Sequence, residues 1–148
     1  MTSSESDKST TATRPRRPVL KALVVDDDPT VRRLLTHLLE RRFHARVTGA
    51  EHGEQGLTAI AADAPDFAVV DVSMPVMDGW EMLRRIRDDA GMRALPVVAV
   101  SAANDRENVT RMIELGVLDY LLKPINPTIA ERRFARVLAK LGLLSASV

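Results

Sequence analysis

The chain has 148 residues, 45% of them hydrophobic and 28% charged, with a formal net charge of +1 and no cysteine. That is enough for one domain with a substantial core; the near-neutral balance gives no general attraction to nucleic acid or a membrane surface, and disulfides and thiolate metal sites are excluded. With no apolar run of membrane-spanning length and no apolar N-terminal signal core, the expected location is the cytoplasm.

Residues 1–13, MTSSESDKSTTAT, hold eight Ser or Thr and almost nothing apolar, so they cannot offset the entropy of being ordered and read as a disordered tail. RPRRP at 14–18 follows, read as a solvated linker, with a basic contact segment for an acidic partner as the alternative. A folded domain is expected from 19 to 142, and 143–148 as a short tail. Val19–Val25 reads as a buried strand, mixed apolar with little alternation. Val31, Leu34, Leu35, Leu38 and Leu39 recur at i, i+3, i+4, i+7 and i+8, one face of a helix. Ala45–Ala50 is a weaker strand, and Gly53–Ala62 a short helix with Leu57 and Ile60 inward. Phe67–Val70 is a strand ending at Asp71. Gly79–Asp88 is a helix with Met82, Leu83 and Ile86 on one face. Pro96–Val100 is a strand ending at Ser101. Asp105–Leu115 is a helix closed by Gly116, the residue type expected just past a helix end. Leu118–Leu122 is a strand ending at Lys123, and Thr128–Leu141 is a last helix. Five strands alternating with five helices give a doubly wound α/β fold, a parallel sheet covered on both faces.

Such sheets bind ligands at the carboxyl ends of their strands. Four of the five strands end in chemistry: Asp26-Asp27, Asp71, Ser101 and Lys123. They should converge at one edge. Three close carboxylates repel unless a cation joins them, and a hard ion with oxygen ligands, Mg²⁺ above all, fits. Asp71 is then placed to attack a phosphoryl group and form an aspartyl phosphate, whose added negative charge calls for donors from Lys123 and Ser101. Of the four lysines, Lys8 lies in the tail, Lys21 opens a strand at the far end, and Lys140 ends the last helix. Only Lys123 can reach. Asp28 reads as the N-cap of the next helix, with Pro29 at its first position, and Asp78 likewise as a cap. Pro75, Met77 and Gly79 shape the loop, Gly79 by permitting unusual φ/ψ. Trp80 and the methionines are packing residues, and His37, His44 and His52, without metal-ligand spacing, are surface histidines.

VVDDDPTVRRLL, VVDVSMPVMDGWEML, PVVAVSA and DYLLKPI, in that order, resemble the receiver domain of two-component response regulators from about Val19 to Leu141. The resemblance implies a flavodoxin-like fold with strand order 2-1-3-4-5, two helices on one face and three on the other. It implies Asp71 as phospho-acceptor, and Mg²⁺ held by Asp26, Asp27, Asp71 and the backbone carbonyl of Ser73. Ser101 and Lys123 would bind phosphoryl oxygens, Tyr120 would be the aromatic that turns inward as Ser101 moves, and Lys123-Pro124 would be cis. Ser73 and Ala103 fall where the family steers water for dephosphorylation, and neither carries a charge. Small Ala102 would leave the acceptor accessible. The donor would be a sensor histidine kinase or a His-containing phosphotransfer protein. The output would pass through the fourth helix, fifth strand and fifth helix, which carry Arg111, Glu114, Arg132, Arg133 and Arg136, to a second receiver or an effector. No direct nucleic-acid or membrane partner and no enzymatic turnover beyond transfer to and hydrolysis from Asp71 are expected.

One rival is an enzyme. Asp26-Asp27-Asp28-Pro29-Thr30-Val31 also fits D-x-D-x-T-V, the opening signature of haloacid-dehalogenase-type phosphatases, with Asp26 as nucleophile and Asp28 as general acid/base. That family needs a flap after the first strand and an acidic motif after a later one. Here Pro29 starts a helix at once, and no acidic pair follows the fourth strand. A receiver reduced to a pure interaction module is disfavoured because no chemical position is missing. The residues after Leu141 are too few for an output domain, so a stand-alone receiver is expected, with a severed output domain as the alternative.

Overall fold

The computed structural model describes residues 19–73, 77–102 and 106–144. In chain order the elements are β1 (Lys21–Val25), α1 (Pro29–Phe43), β2 (Arg46–Ala50), α2 (Gly53–Ala62), β3 (Phe67–Asp71), α3 (Gly79–Asp88), β4 (Val97–Ser101), α4 (Arg106–Glu114), β5 (Asp119–Leu122) and α5 (Pro127–Lys140). All strands run parallel in the order β2-β1-β3-β4-β5, as the doubly wound reading requires. Boundaries differ from the sequence reading by one or two residues. The tail of residues 1–18, together with Pro75, Ala103 and Asp105, lies outside the described residues.

The apolar runs work as expected for strands buried on both faces. Alternate residues of β1, β3 and β4 point to opposite sides of the sheet. Leu23, Val25, Ala68, Val70, Val97 and Ala99 pack under Ile60 of α2, Trp80, Met82, Leu83 and Ile86 of α3 and Met112 of α4. Ala22, Val24, Phe67, Val69, Val98 and Val100 pack under Leu35, Leu38 and Leu39 of α1 and Ala130, Phe134, Val137 and Leu138 of α5. Two helices therefore cover one face and three the other. On the two-helix face Phe134 meets Phe43 and Phe67 edge-on, at centroid separations of 6.5 and 6.2 Å.

The helix starts are fixed locally. Asp28 accepts from the Thr30 amide at 2.9 Å with Pro29 at the first position of α1. Asp78 accepts from the Glu81 amide at 2.9 Å, and Asn126 from Ile129 at 3.1 Å ahead of Pro127. Both aspartate cap readings hold. His52 corrects the view of all three histidines as surface residues: it is half-buried and its Nδ1 accepts from the Gln55 amide at 3.4 Å, capping α2. Gly116 ends α4 with φ 70°, the left-handed residue expected there.

Gly79 is also corrected. It is not among the positive-φ residues, which for glycine are Gly116 and Gly142. Its role is space: a Cβ at this position would overlap the carbonyl oxygen of Asp71 and lie 2.5 Å from Val72 Cα. The start of α3 is thus pressed against the end of β3.

Candidate functional site

The parallel register brings the strand ends together. Val25 pairs with Val70 and Ala50, Asp71 with Val100, and Ser101 with Leu122. Asp26, one residue past β1, therefore sits beside Asp71 at the end of β3. Lys123, one residue past β5, lies beside Ser101, whose carbonyl accepts from the Lys123 amide at 2.9 Å. Asp26, Asp71 and Ser101 are the buried polar residues among those described, at 0–1% exposure, while Asp27 next to them is exposed. The three carboxylates can place one oxygen each within 4.8 Å of one another.

Each buried acid is held by backbone. Asp71 Oδ1 accepts from the Ser73 amide at 2.9 Å, and Asp71 Oδ2 from Lys123 Nζ at 3.0 Å. Asp26 Oδ1 accepts from the Asp28 amide at 2.9 Å. Asp26 Oδ2 is buried with no hydrogen bond, Lys123 Nζ standing 3.5 Å away. A buried carboxylate oxygen met only by an ammonium at 3.5 Å is under-satisfied, which suits a ligand to a hard cation. The donor set, three carboxylates and nearby backbone, suits Mg²⁺.

The electrostatics follow. Burial pushes the Asp26 carboxyl up to about 6; the Asp28 amide opposes this, the Asp71 charge adds to it, Lys123 opposes it and Asp27 adds. Burial would depress Lys123, but the Asp71 hydrogen bond and the charges of Asp26 and Asp71 outweigh it and raise its pKa. The ammonium is therefore firmly charged.

Tyr120 is half-buried against the three-helix face, with the Arg133 guanidinium 5.6 Å from its ring centroid. Arg133 also binds Asp119 at 2.6 Å and Arg136 stands 3.6 Å from the same carboxylate. Of the three α5 arginines Arg132, Arg133 and Arg136, two thus already face an acid of their own chain. Ala102 is exposed, as is Ser73. Lys21 pairs with Asp63 at 2.6 Å, far from the site, and Lys123-Pro124 is cis.

Arg32 was not singled out by the sequence. Its Nη1 donates to the main-chain carbonyl of Asp26 at 2.7 Å. An arginine on a helix otherwise reads as part of a solvated face, so no pattern marks it.

The model of the response regulator receiver domain matches residues 22–133. The chain belongs to the response regulator receiver family. This receiver is 36% identical over 118 residues to the transcriptional regulatory protein AfsQ1 of Streptomyces coelicolor, covering 80% of this chain and 51% of that protein. The chain thus spans about half the length of that relative. It is 29% identical over 120 residues to the chemotaxis protein CheY1 of Helicobacter pylori, covering 80% of this chain and 97% of that one. Among solved structures it resembles the chemotaxis protein CheY4 of Vibrio cholerae, with a TM-score of 0.76 and 27% identity over 82% of this receiver and all of that chain. These matches give no support to a phosphatase of the haloacid-dehalogenase type, and Asp28, its required acid/base, is engaged in capping α1. Among the described residues no helix is long and apolar enough to cross a membrane.

Proposed function

We propose that this receiver takes a phosphoryl group onto Asp71 from a phosphohistidine of a sensor histidine kinase or a His-containing phosphotransfer protein, and later loses it to water. The observation that carries the reading is the pairing of Asp71 Oδ2 with Lys123 Nζ at 3.0 Å beside the buried Asp26 Oδ2, which has no hydrogen bond of its own. An Asp71 carboxylate oxygen attacks phosphorus, and the P–N bond breaks with its electron pair leaving on the imidazole. Lys123 and the hydroxyl of Ser101 then meet the phosphoryl oxygens. Mg²⁺, held by Asp26, Asp27, Asp71 and the Ser73 carbonyl, would neutralise charge on the transferring group.

The product biases a two-state surface through Ser101 and Tyr120. The surface of α4, β5 and α5 carries exposed Ile113, Leu118, Leu122 and Ile129 beside Arg111, Glu114 and Arg132, and suits a second receiver or an effector protein. We place this activity in the cytoplasm and on a single folded unit, residues 19–142.

Incubation with Mg²⁺ and acetyl phosphate, followed by peptide mapping, should label Asp71, and Asp71→Asn should abolish the label. Labelling at Asp26 would overturn the assignment in favour of the phosphatase-like chemistry. The acidic run should also divide. Asp28→Ala removes a cap and should cost about 1 kcal/mol, yet its backbone amide still serves Asp26, so Mg²⁺ affinity should hold. Asp27→Asn should weaken Mg²⁺ binding severely with little change in melting temperature. Calorimetric Mg²⁺ titrations of the two variants, paired with thermal melts, check both halves.

A further inference from the structure

We infer that Arg32 is a positioning residue for the cation: it fixes the Asp26 main chain so that one carboxylate oxygen, Oδ2, is left facing the site. This rests on the reading of Asp26, Asp27 and Asp71 as the Mg²⁺ cluster. The polar atoms of Asp26 account for themselves one by one. Its N–H donates to Ala50 O at 3.1 Å, its carbonyl accepts from Arg32 at 2.7 Å, and Oδ1 accepts from the Asp28 amide. Among the described residues only Oδ2 finds no hydrogen bond, its nearest partner being the Lys123 ammonium at 3.5 Å. Ala50 belongs to β2, and the Asp28 amide to the turn itself. Arg32 is the tie from α1, reaching back toward the helix N-terminus as helical side chains do.

A second feature shows that the chain makes room for it. Gly49 lies inside β2, where glycine weakens a strand unless something approaches closely. It has no positive φ to explain it. A Cβ at Gly49 would stand 3.3 Å from Arg32 Cδ and 3.7 Å from its Cγ and Nε. The stem of Arg32 is laid flat on Gly49 on its way to Asp26. Groups that orient metal ligands from behind commonly change affinity by about 10–100-fold when removed.

Position and charge predict opposite signs. The guanidinium is a cation beside a cation site, so if charge were its only influence its removal would tighten Mg²⁺ binding. If it positions Asp26, removal loosens it. In calorimetric titrations of the intact chain with Mg²⁺, Arg32→Ala should bind about tenfold more weakly, and Arg32→Lys, which keeps a donor and the charge, should recover part of the loss. Gly49→Val keeps the arginine, displaces its stem and suits a strand; it should also weaken Mg²⁺ binding. Melting temperatures in EDTA verify that each variant is folded. Wild-type-like or tighter binding by Arg32→Ala, or an unaffected Gly49→Val, overturns the inference while the site reading stands. No Mg²⁺ binding by the wild-type chain would overturn the site reading, and this with it.

Discussion

Gly79→Ala should be among the most damaging single-methyl changes in this receiver, lowering stability by roughly 3–5 kcal/mol, in the range of severe overpacking. The added Cβ would meet backbone, not a side chain that can swing away: the carbonyl oxygen of Asp71, Val72 Cα at 2.5 Å and the Asp71 carbonyl carbon at 2.8 Å. Backbone at this point is the fully buried end of β3, hydrogen-bonded onward through the Val72 amide to Val100 O at 3.0 Å. Relief must come either from moving α3, which carries Trp80, Met82, Leu83 and Ile86 into the core, or from moving the Asp71 peptide itself. Both are costly. The second also displaces the carboxylate from Lys123, so the variant should accept phosphate from acetyl phosphate poorly even where it remains folded. Gly91→Ala is the control: that glycine is exposed and its Cβ would face only Asp89 Oδ1 at 3.3 Å, so it should melt within a degree or two of wild type. A Gly79→Ala protein that melts like the Gly91→Ala control would show that this seam yields more easily than its distances imply.

The contrast between Gly79 and Asp71 shows which features are legible without coordinates. Asp71, Ser101 and Lys123 could be read because strand ends are visible as the places where apolar runs stop, and parallel topology sends all those ends to one edge. The same logic separated Asp28 from Asp26 and Asp27, since a cap followed by Pro has a local signature. Gly79 stands out in the sequence, but its cause, close packing and not a positive φ, does not. Left-handed φ is the commonest reason for a glycine in a loop, whereas contact with the end of a strand eight residues earlier depends on how α3 docks. Arg32 and Gly49 are harder still. Each is unremarkable alone, and their meaning comes from one lying on the other beneath Asp26. Likewise the arginines of α5 could be counted from sequence, but not that Arg133 and Arg136 turn to Asp119 and Arg133 to the ring of Tyr120. Periodicity gives faces and ends; it does not give side-chain partners.

Asp26→Asn should stabilise the cation-free protein while disabling the site. The Asp26 carboxyl lies at about 6 instead of the ordinary 3.8, because burial disfavours its charged form and Asp71 and Asp27 add repulsion, against the opposing help of the Asp28 amide and Lys123. Below pH 4 the folded and unfolded chains both hold this proton and there is no penalty. Between about 4 and 6 the unfolded chain releases it first, so stability falls as pH rises; above the folded value the whole cost is present, about 3 kcal/mol. Asparagine is nearly the same shape, can still accept from the Asp28 amide and never ionises. In EDTA at pH 7.5 the variant should therefore melt roughly 10 °C above wild type, and the gap should close as the pH is taken down toward 4. Mg²⁺ should reverse the order of merit: on the proposed reading it should raise the wild-type melting temperature with concentration and leave Asp26→Asn unmoved. A variant that melts below wild type in EDTA, or a gap that ignores pH, would mean that Lys123 already compensates Asp26 in the folded state. The expected outcome instead makes the buried Oδ2 of Asp26, which has no hydrogen bond, a cost kept where the proposed ion would bind.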